Sequence, residues 1–234
     1  PASTGRIAYK RSKACPSGIL RWKNQHVLCT SDYGNIVELH DTREPQRVMP
    51  LQFYSEERTC AVHFTGGNTM VVGENGNTVK VWDLRNDRAP LLELNHDSAV
   101  RALCVDPFQR HRLLTGGGRY DPVLRAWDLR TGHCMKKSKP SSQITNIVCS
   151  PCGGTLCTTH GFTNNNIALW DSNTLSMVSY SPGSDTRHLF AASSPDGTVL
   201  AYSGRECIVF QKVFEKRMRK RKKRGRDCLM PMIR

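Results

Sequence analysis

Thr78-Val79-Lys80-Val81-Trp82-Asp83, Val123-Leu124-Arg125-Ala126-Trp127-Asp128 and Ile167-Ala168-Leu169-Trp170-Asp171 are three copies of one pattern. Their Trp-Asp pairs stand 45 and then 43 residues apart. Within each copy small or apolar side chains recur at every second position up to the Trp, the pattern of a strand with one buried face. Weaker copies continue the frame in both directions. Upstream, Gly34-Asn35-Ile36-Val37-Glu38-Leu39-His40-Asp41 puts His40 in the Trp position, 42 residues before Trp82. Downstream, Ser194-Pro195-Asp196-Gly197 is a turn ahead of a second strand, with Cys207 to Phe210 as the third. Gln211 then takes the Trp position, 41 residues after Trp170. Ser3 to Lys10 reads as the end of one more third strand.

Period, Trp-Asp ending and four short apolar runs per unit are those of a WD40 repeat. The expected fold is all-β, a WD40 β-propeller forming an incomplete ring of about five blades. The blades fall at 11–52, 53–94, 95–140, 141–182 and 183–215, with a remnant at 1–10, and a disordered basic tail follows at 216–234. Propellers usually close four to eight four-stranded blades into a ring. This sequence begins inside a blade and supplies no outer strand after Phe210, so an open arc is expected.

Composition narrows the function classes. Of the net charge of +14, the segment from Lys212 to Arg234 carries +9 and the preceding 211 residues only +5. The body is therefore electrostatically ordinary, and the basic run is the one feature that suggests a nuclear address or a nucleic-acid arm. That run has no aromatic residue to stack on bases, which disfavours RNA. The ten cysteines sit mostly in apolar strand-like runs, where free Cys packs as a small hydrophobe. A reducing compartment, nucleus and cytoplasm, is expected. No window approaches a membrane span, and no membrane partner is expected. Cys149 and Cys152 have metal-ligand spacing, with Cys157 and His160 nearby, but a single CxxC is weak. No metal and no cofactor are expected. No Ser or Cys lies in the context of an activated nucleophile, so the chain reads as a non-enzyme. His96, in Asn95-His96-Asp97, is expected to hydrogen-bond within its blade towards Trp127.

Fold alone does not give function, so the turns must. Rotation relates the blades, which places every second-to-third-strand turn on one face. Here these are Gly73 to Asn77, Gly116 to Asp121, His160 to Asn166 and Gly204 to Glu206, joined by Thr186-Arg187. Asn, Asp and Gly are ordinary turn formers, yet together they make a rim of amides with arginines and a carboxylate. Such a rim suits a short charged peptide.

Thr115-Gly116-Gly117-Gly118 with Asp121, then Ser142-Gln143, then His160-Gly161-Phe162 with its Asn-rich turn, resemble the Fizzy family. These are WD40 activators of the anaphase-promoting complex, in cell-division-cycle 20 and Fizzy-related branches. The resemblance runs from about Ser3 to Gln211, and the terminal Ile233-Arg234 is similar to the family's docking tail. It implies a substrate-recruiting, degron-binding adaptor of this ubiquitin ligase. Partners would be the tetratricopeptide subunits, met by Ile233 and Arg234, and degron-bearing substrates. Matching positions for a Lys-Glu-Asn degron are Asn75, Asn77, Gln143 and Arg187, and Glu206 matches the acid that meets a destruction-box Arg. One departure is plain: the family has a small hydroxyl residue after the triple glycine, and this chain has Arg119, a cation that would repel the degron Lys. The competing reading is a WD40 scaffold in a nucleoprotein assembly, held there by the basic run.

Overall fold

A computed structural model describes residues 17–32, 36–43, 48–54, 57–86, 88–150 and 153–214. Every regular element among the described residues is a β-strand. The first sheet holds β1 (Ser17–Trp22), β2 (Val27–Asp32), β3 (Ile36–Asp41) and β4 (Val48–Tyr54). The second holds β5 (Thr59–Gly66), β6 (Thr69–Glu74), β7 (Thr78–Asp83) and β8 (Leu92–Asn95). The third holds β9 (Val100–Val105), β10 (Arg112–Gly117), β11 (Leu124–Asp128) and β12 (His133–Ser138). The fourth holds β13 (Gln143–Cys149), β14 (Thr155–Gly161), β15 (Ile167–Asp171) and β16 (Met177–Tyr180). The fifth holds β17 (Ala191–Ser193), β18 (Val199–Ser203) and β19 (Ile208–Lys212). Each sheet is an antiparallel meander in chain order, and the fifth has three strands among the described residues. No helix among the described residues is long and apolar enough to cross a membrane.

The sheets are the blades of a five-bladed β-propeller arc. Inner strands pack in sequence, β1 on β5, β5 on β9, β9 on β13 and β13 on β17. Among the described residues no β17–β1 interface of comparable extent closes the ring. All five inner strands line one axial cavity of about 540 Å³.

The core is not one cluster but the seams between blades. Val27, Cys29, Val37 and Leu39 of the first blade pack on Met70, Val72 and Trp82 of the second. Val71, Val79 and Leu94 meet Val100, Leu113 and Trp127. Leu114, Leu124 and Ala126 meet Ile144, Leu156 and Trp170. Cys157 and Ile167 meet Leu200 and Phe214. Successive side chains of a strand point to opposite faces, so neighbours such as Leu113 and Leu114 feed different seams. This corrects the expectation of one buried face for the strand that ends at Trp127: β11 is buried from Leu124 to Trp127, and its neighbour β10 throughout, because a blade in the middle of the stack has a neighbour on either side. Even Arg125 is buried in β11, bound to Asp121 at 2.8 Å and Asp97 at 3.0 Å. A second buried link spans a seam: Arg112 meets Asp106 at 3.3 Å and the Ser172 hydroxyl at 3.2 Å, and donates to the Ser172 carbonyl.

The Trp position turns out to be half of a hydrogen bond. Trp127 Nε1 donates to Thr115 Oγ1 at 2.8 Å, and Trp170 Nε1 to Thr158 Oγ1 at 2.7 Å. In each case the Thr lies two residues beyond the cross-strand partner of the Trp. His40, in the same position of the first blade, bonds Thr30 Oγ1 at 2.8 Å. In the fifth blade both members change, and the Tyr202 hydroxyl donates to Gln211 Oε1 at 3.2 Å. The aspartate after the Trp has a separate task. Asp41, Asp83 and Asp128 each accept the backbone N–H two residues on, at 3.0, 3.0 and 2.9 Å. The guanidiniums of Arg43, Arg85 and Arg130 return to the same carboxylates, holding their pKa values down at about 2.

Candidate peptide-binding face

The second-to-third-strand turns lie on one face, and those of the second and fourth blades are tied to the loops that run between blades. In the second blade the His96 N–H donates to the Asn77 carbonyl at 2.8 Å. In the fourth, Ser142 Oγ donates to the Gly161 carbonyl, and the Asn164 amide donates to Ser141 Oγ at 3.0 Å. The Asn165 amide donates to the Ser184 carbonyl at 2.8 Å, reaching the lead-in of the fifth blade.

The triple glycine is a packing device. A Cβ at Gly116 would strike Ile144 of the next blade at 2.6 Å, one at Gly117 the Asp121 carbonyl at 2.0 Å, and one at Gly118 Ser98 Oγ at 2.6 Å. Glycine lets this turn sit low against its neighbours. Arg119 and Tyr120, both exposed, follow at its crest.

Beneath the rim, His96 accepts from Arg125 Nη1 at its Nδ1 and meets Thr115 Oγ1 through Nε2 at 2.8 Å. Its ring lies 5.7 Å from that of Trp127. Burial, then the charges of Arg125 and Lys137, push its pKa down to about 3, so it is neutral. His160 occupies a comparable place, bonding Thr158 Oγ1 at 2.7 Å, and burial lowers its pKa as well. Both histidines brace the turns from below. Cys149 Sγ lies 3.3 Å from Cys104 Sγ across the seam between the third and fourth blades. Cys152 is outside the described residues.

Asn75 and Asn77 are exposed in the β6–β7 turn, Asn77 with a left-handed φ of 66°. Below them Glu74 is buried, bonded to Thr78 Oγ1 at 2.7 Å and to Lys80 at 3.3 Å. Gln143 opens β13 opposite Gly161, and its Oε1 is buried without a hydrogen-bond donor among the described residues. Arg187 crosses the other side of the same glycine, where a Cβ would touch its Nε at 3.3 Å. Gln143 and Arg187 are thus brought together around Gly161. Asn75 and Asn77 stand on the turn of a different blade, and Glu206 is exposed in the β18–β19 turn. None of these three makes a side-chain bond to that pair among the described residues. Ile233 and Arg234 lie outside the described residues.

One feature of the rim is absent from the reading of the sequence for site residues. Phe162, 43% exposed, has a left-handed φ of 68°. Its ring carries the Arg187 guanidinium 3.7 Å from its centroid and that of Arg119 at 5.2 Å. The signal was an aromatic placed directly after Gly161 in a turn otherwise made of Thr and Asn.

The fold and rim define a WD-repeat propeller whose polar face is built from turns, with arginines held on an aromatic platform. No protein-family profile matches the chain. It is 33% identical over 202 residues to WD repeat-containing protein slp1 of Schizosaccharomyces pombe, covering 85% of this chain and 41% of that protein. It is 32% identical over 205 residues to Cell division cycle 20.1, cofactor of APC complex, of Arabidopsis thaliana, covering 84% of this chain and 45% of that protein. It is also 32% identical over 222 residues to Anaphase-promoting complex subunit cdc20 of Dictyostelium discoideum, covering 92% of this chain and 44% of that protein. The chain therefore spans less than half the length of these relatives. In solved structures, a chain in the crystal structure of the mitotic checkpoint complex aligns with a TM-score of 0.79 at 31% identity, covering 85% of this chain and 62% of that one. The chain belongs to the family of WD-repeat proteins that includes slp1 and the cell-division-cycle 20 proteins.

Proposed function

We propose that this protein is a non-enzymatic adaptor that holds degron peptides on its turn face and presents them to the anaphase-promoting complex. The observation that carries the reading is Arg187, its guanidinium carbon 3.7 Å over the Phe162 ring, near Gln143, whose Oε1 is buried and has no hydrogen-bond partner among the described residues. A stacked guanidinium keeps its N–H edge free for a carboxylate, and a charge-assisted pair of this kind is the strong class of hydrogen bond. A buried acceptor without a donor is costly, and an incoming peptide N–H or amide relieves that cost. Asn75, Asn77 and Glu206 contribute further donors and acceptors on the same face. Ile233 and Arg234 dock on tetratricopeptide subunits, and tethering raises the effective concentration of substrate at the ligase. The nucleus and cytoplasm are the compartments in which this work is done.

Two measurements test the reading. Purified anaphase-promoting complex should be captured by the protein and lost on removal of Ile233-Arg234. Capture that ignores those residues and fades steeply with salt would favour the nucleoprotein scaffold instead. For the face, Arg187→Ala should weaken a Lys-Glu-Asn peptide by about 1–3 kcal/mol, the range for a hydrogen bond to a charged group. Unchanged affinity removes Arg187 from the site.

A further inference from the structure

The ring of Phe162 carries two guanidiniums, and only one is accounted for by a single acidic side chain. Arg119 and Arg187 are both exposed. Neither has an ion-pair or hydrogen-bond partner among the described residues. The acid nearest in sequence to Arg119, Asp121, is already engaged by Arg125 at 2.8 Å, and Asp97 is held by the same guanidinium at 3.0 Å. The face of an aromatic ring attracts a cation held over it. That is enough to bias where the two side chains rest, and it leaves their N–H edges unspent. The platform itself is held at a backbone cost. A bulky residue at φ 68° is a conformational outlier, and such outliers cluster where a surface is shaped for a ligand. The turn that pays it presents the phenyl ring outward, with Thr163 N–H closing onto the Gly161 carbonyl at 3.1 Å.

We propose that Arg119 is a specificity-determining residue, and that this face selects a peptide with two neighbouring acidic side chains, one for Arg187 and one for Arg119. The inference rests on the peptide-binding reading above and names its ligand class. A lysine beside the glutamate would face Arg119 as a like charge, whereas a second carboxylate there would satisfy a guanidinium that otherwise has no partner. Two like charges held on one ring also repel each other weakly, and a pair of acids removes that repulsion.

The test compares Lys-Glu-Asn and Glu-Glu-Asn peptides of otherwise identical sequence, titrated against the wild-type protein, Arg119→Ser and Arg187→Ala at low ionic strength. Wild type should bind Glu-Glu-Asn at least fivefold more tightly than Lys-Glu-Asn. Arg119→Ser should erase or invert that preference while leaving thermal stability unchanged, since the side chain is exposed on a turn. Arg187→Ala should weaken both peptides. A wild-type preference for Lys-Glu-Asn, or a ratio unaffected by Arg119→Ser, overturns the role of Arg119 and leaves the binding face standing. Failure of wild type to bind either peptide overturns the binding face, and this inference with it.

Discussion

The third and fifth blades follow the same repeat and solve it with different chemistry. In the third, β10 is buried throughout, and Trp127 reaches Thr115 beneath two neighbouring blades' worth of side chains. In the fifth, Leu200 alone in β18 is fully buried, and the edge strand β19 leaves Ile208 67% and Phe210 72% exposed. Yet the fifth blade keeps the cross-strand bond, now from Tyr202 to Gln211, and keeps a histidine against it, the rings of His188 and Tyr202 lying 4.7 Å apart. What the repeat preserves is the position of a link between the second and third strands. Burial decides how much that link is worth.

The largest effect should come from removing the buried indole. Trp127→Ala strips the seam between the second and third blades, and large aromatic-to-Ala changes in cores cost about 3–5 kcal/mol. Phe210→Ala in the fifth blade removes an exposed ring and should stay within about 0.5 kcal/mol, as surface substitutions do. Chemical denaturation of the two variants reads the contrast directly. Equal losses would mean that the fifth blade is covered in solution and that the contrast is wrong.

Thr115→Val sharpens the comparison by keeping shape and deleting only the hydroxyl. Both Trp127 Nε1 and His96 Nε2 lose their partner at Thr115 Oγ1. Leaving a buried polar group unpaired costs about 1–3 kcal/mol, so the midpoint of unfolding should fall clearly though less than for Trp127→Ala.

Much of this was legible. Trp82, Trp127 and Trp170 set the frame, and a fixed period predicts blades because each blade needs a neighbour to cover its faces. Even His40 and Gln211 were placed by spacing, although nothing in the sequence announces that they inherit a hydrogen bond. The burial of Arg125 was not legible. In sequence it looks like the polar member of an alternating strand, and only the convergence of His96, Asp97 and Asp121 from other segments makes its burial tolerable. The same holds for the rim. The residue types of the turns suggested a peptide face, but stacking of Arg119 and Arg187 on Phe162 joins three separate segments, and local pattern carries no information about such a meeting.

Acid should expose the buried histidines. The pKa of His96 falls to about 3 in the folded protein, so the unfolded chain takes up its proton first as pH drops below about 6.5. The stability from a neutral His96 is fully present above that value and drains away towards pH 3; His160 adds to the slope, its pKa also being lowered. Asp41, Asp83 and Asp128 act later. Their folded values near 2 mean that their contribution is lost only below about pH 4. Between pH 6.5 and 4.5 the decline therefore belongs to the imidazoles, and His96→Gln should flatten it in thermal melts across that window. An undiminished slope in that variant would assign the decline elsewhere.

The smallest effect is expected from Tyr202→Phe, which deletes the hydroxyl that reaches Gln211. This bond lies at the exposed edge of the fifth blade, where water can replace the lost partner on both sides. A net hydrogen bond is worth about 0.5–1.5 kcal/mol, and solvent access puts this one at or below the bottom of that range. The ring, which carries the packing against His188, is retained. Thr115→Val and Tyr202→Phe thus remove the same element of the repeat from a buried and an exposed blade. A loss for Tyr202→Phe as large as that for Thr115→Val would show that the link matters for its place in the repeat and not for its burial.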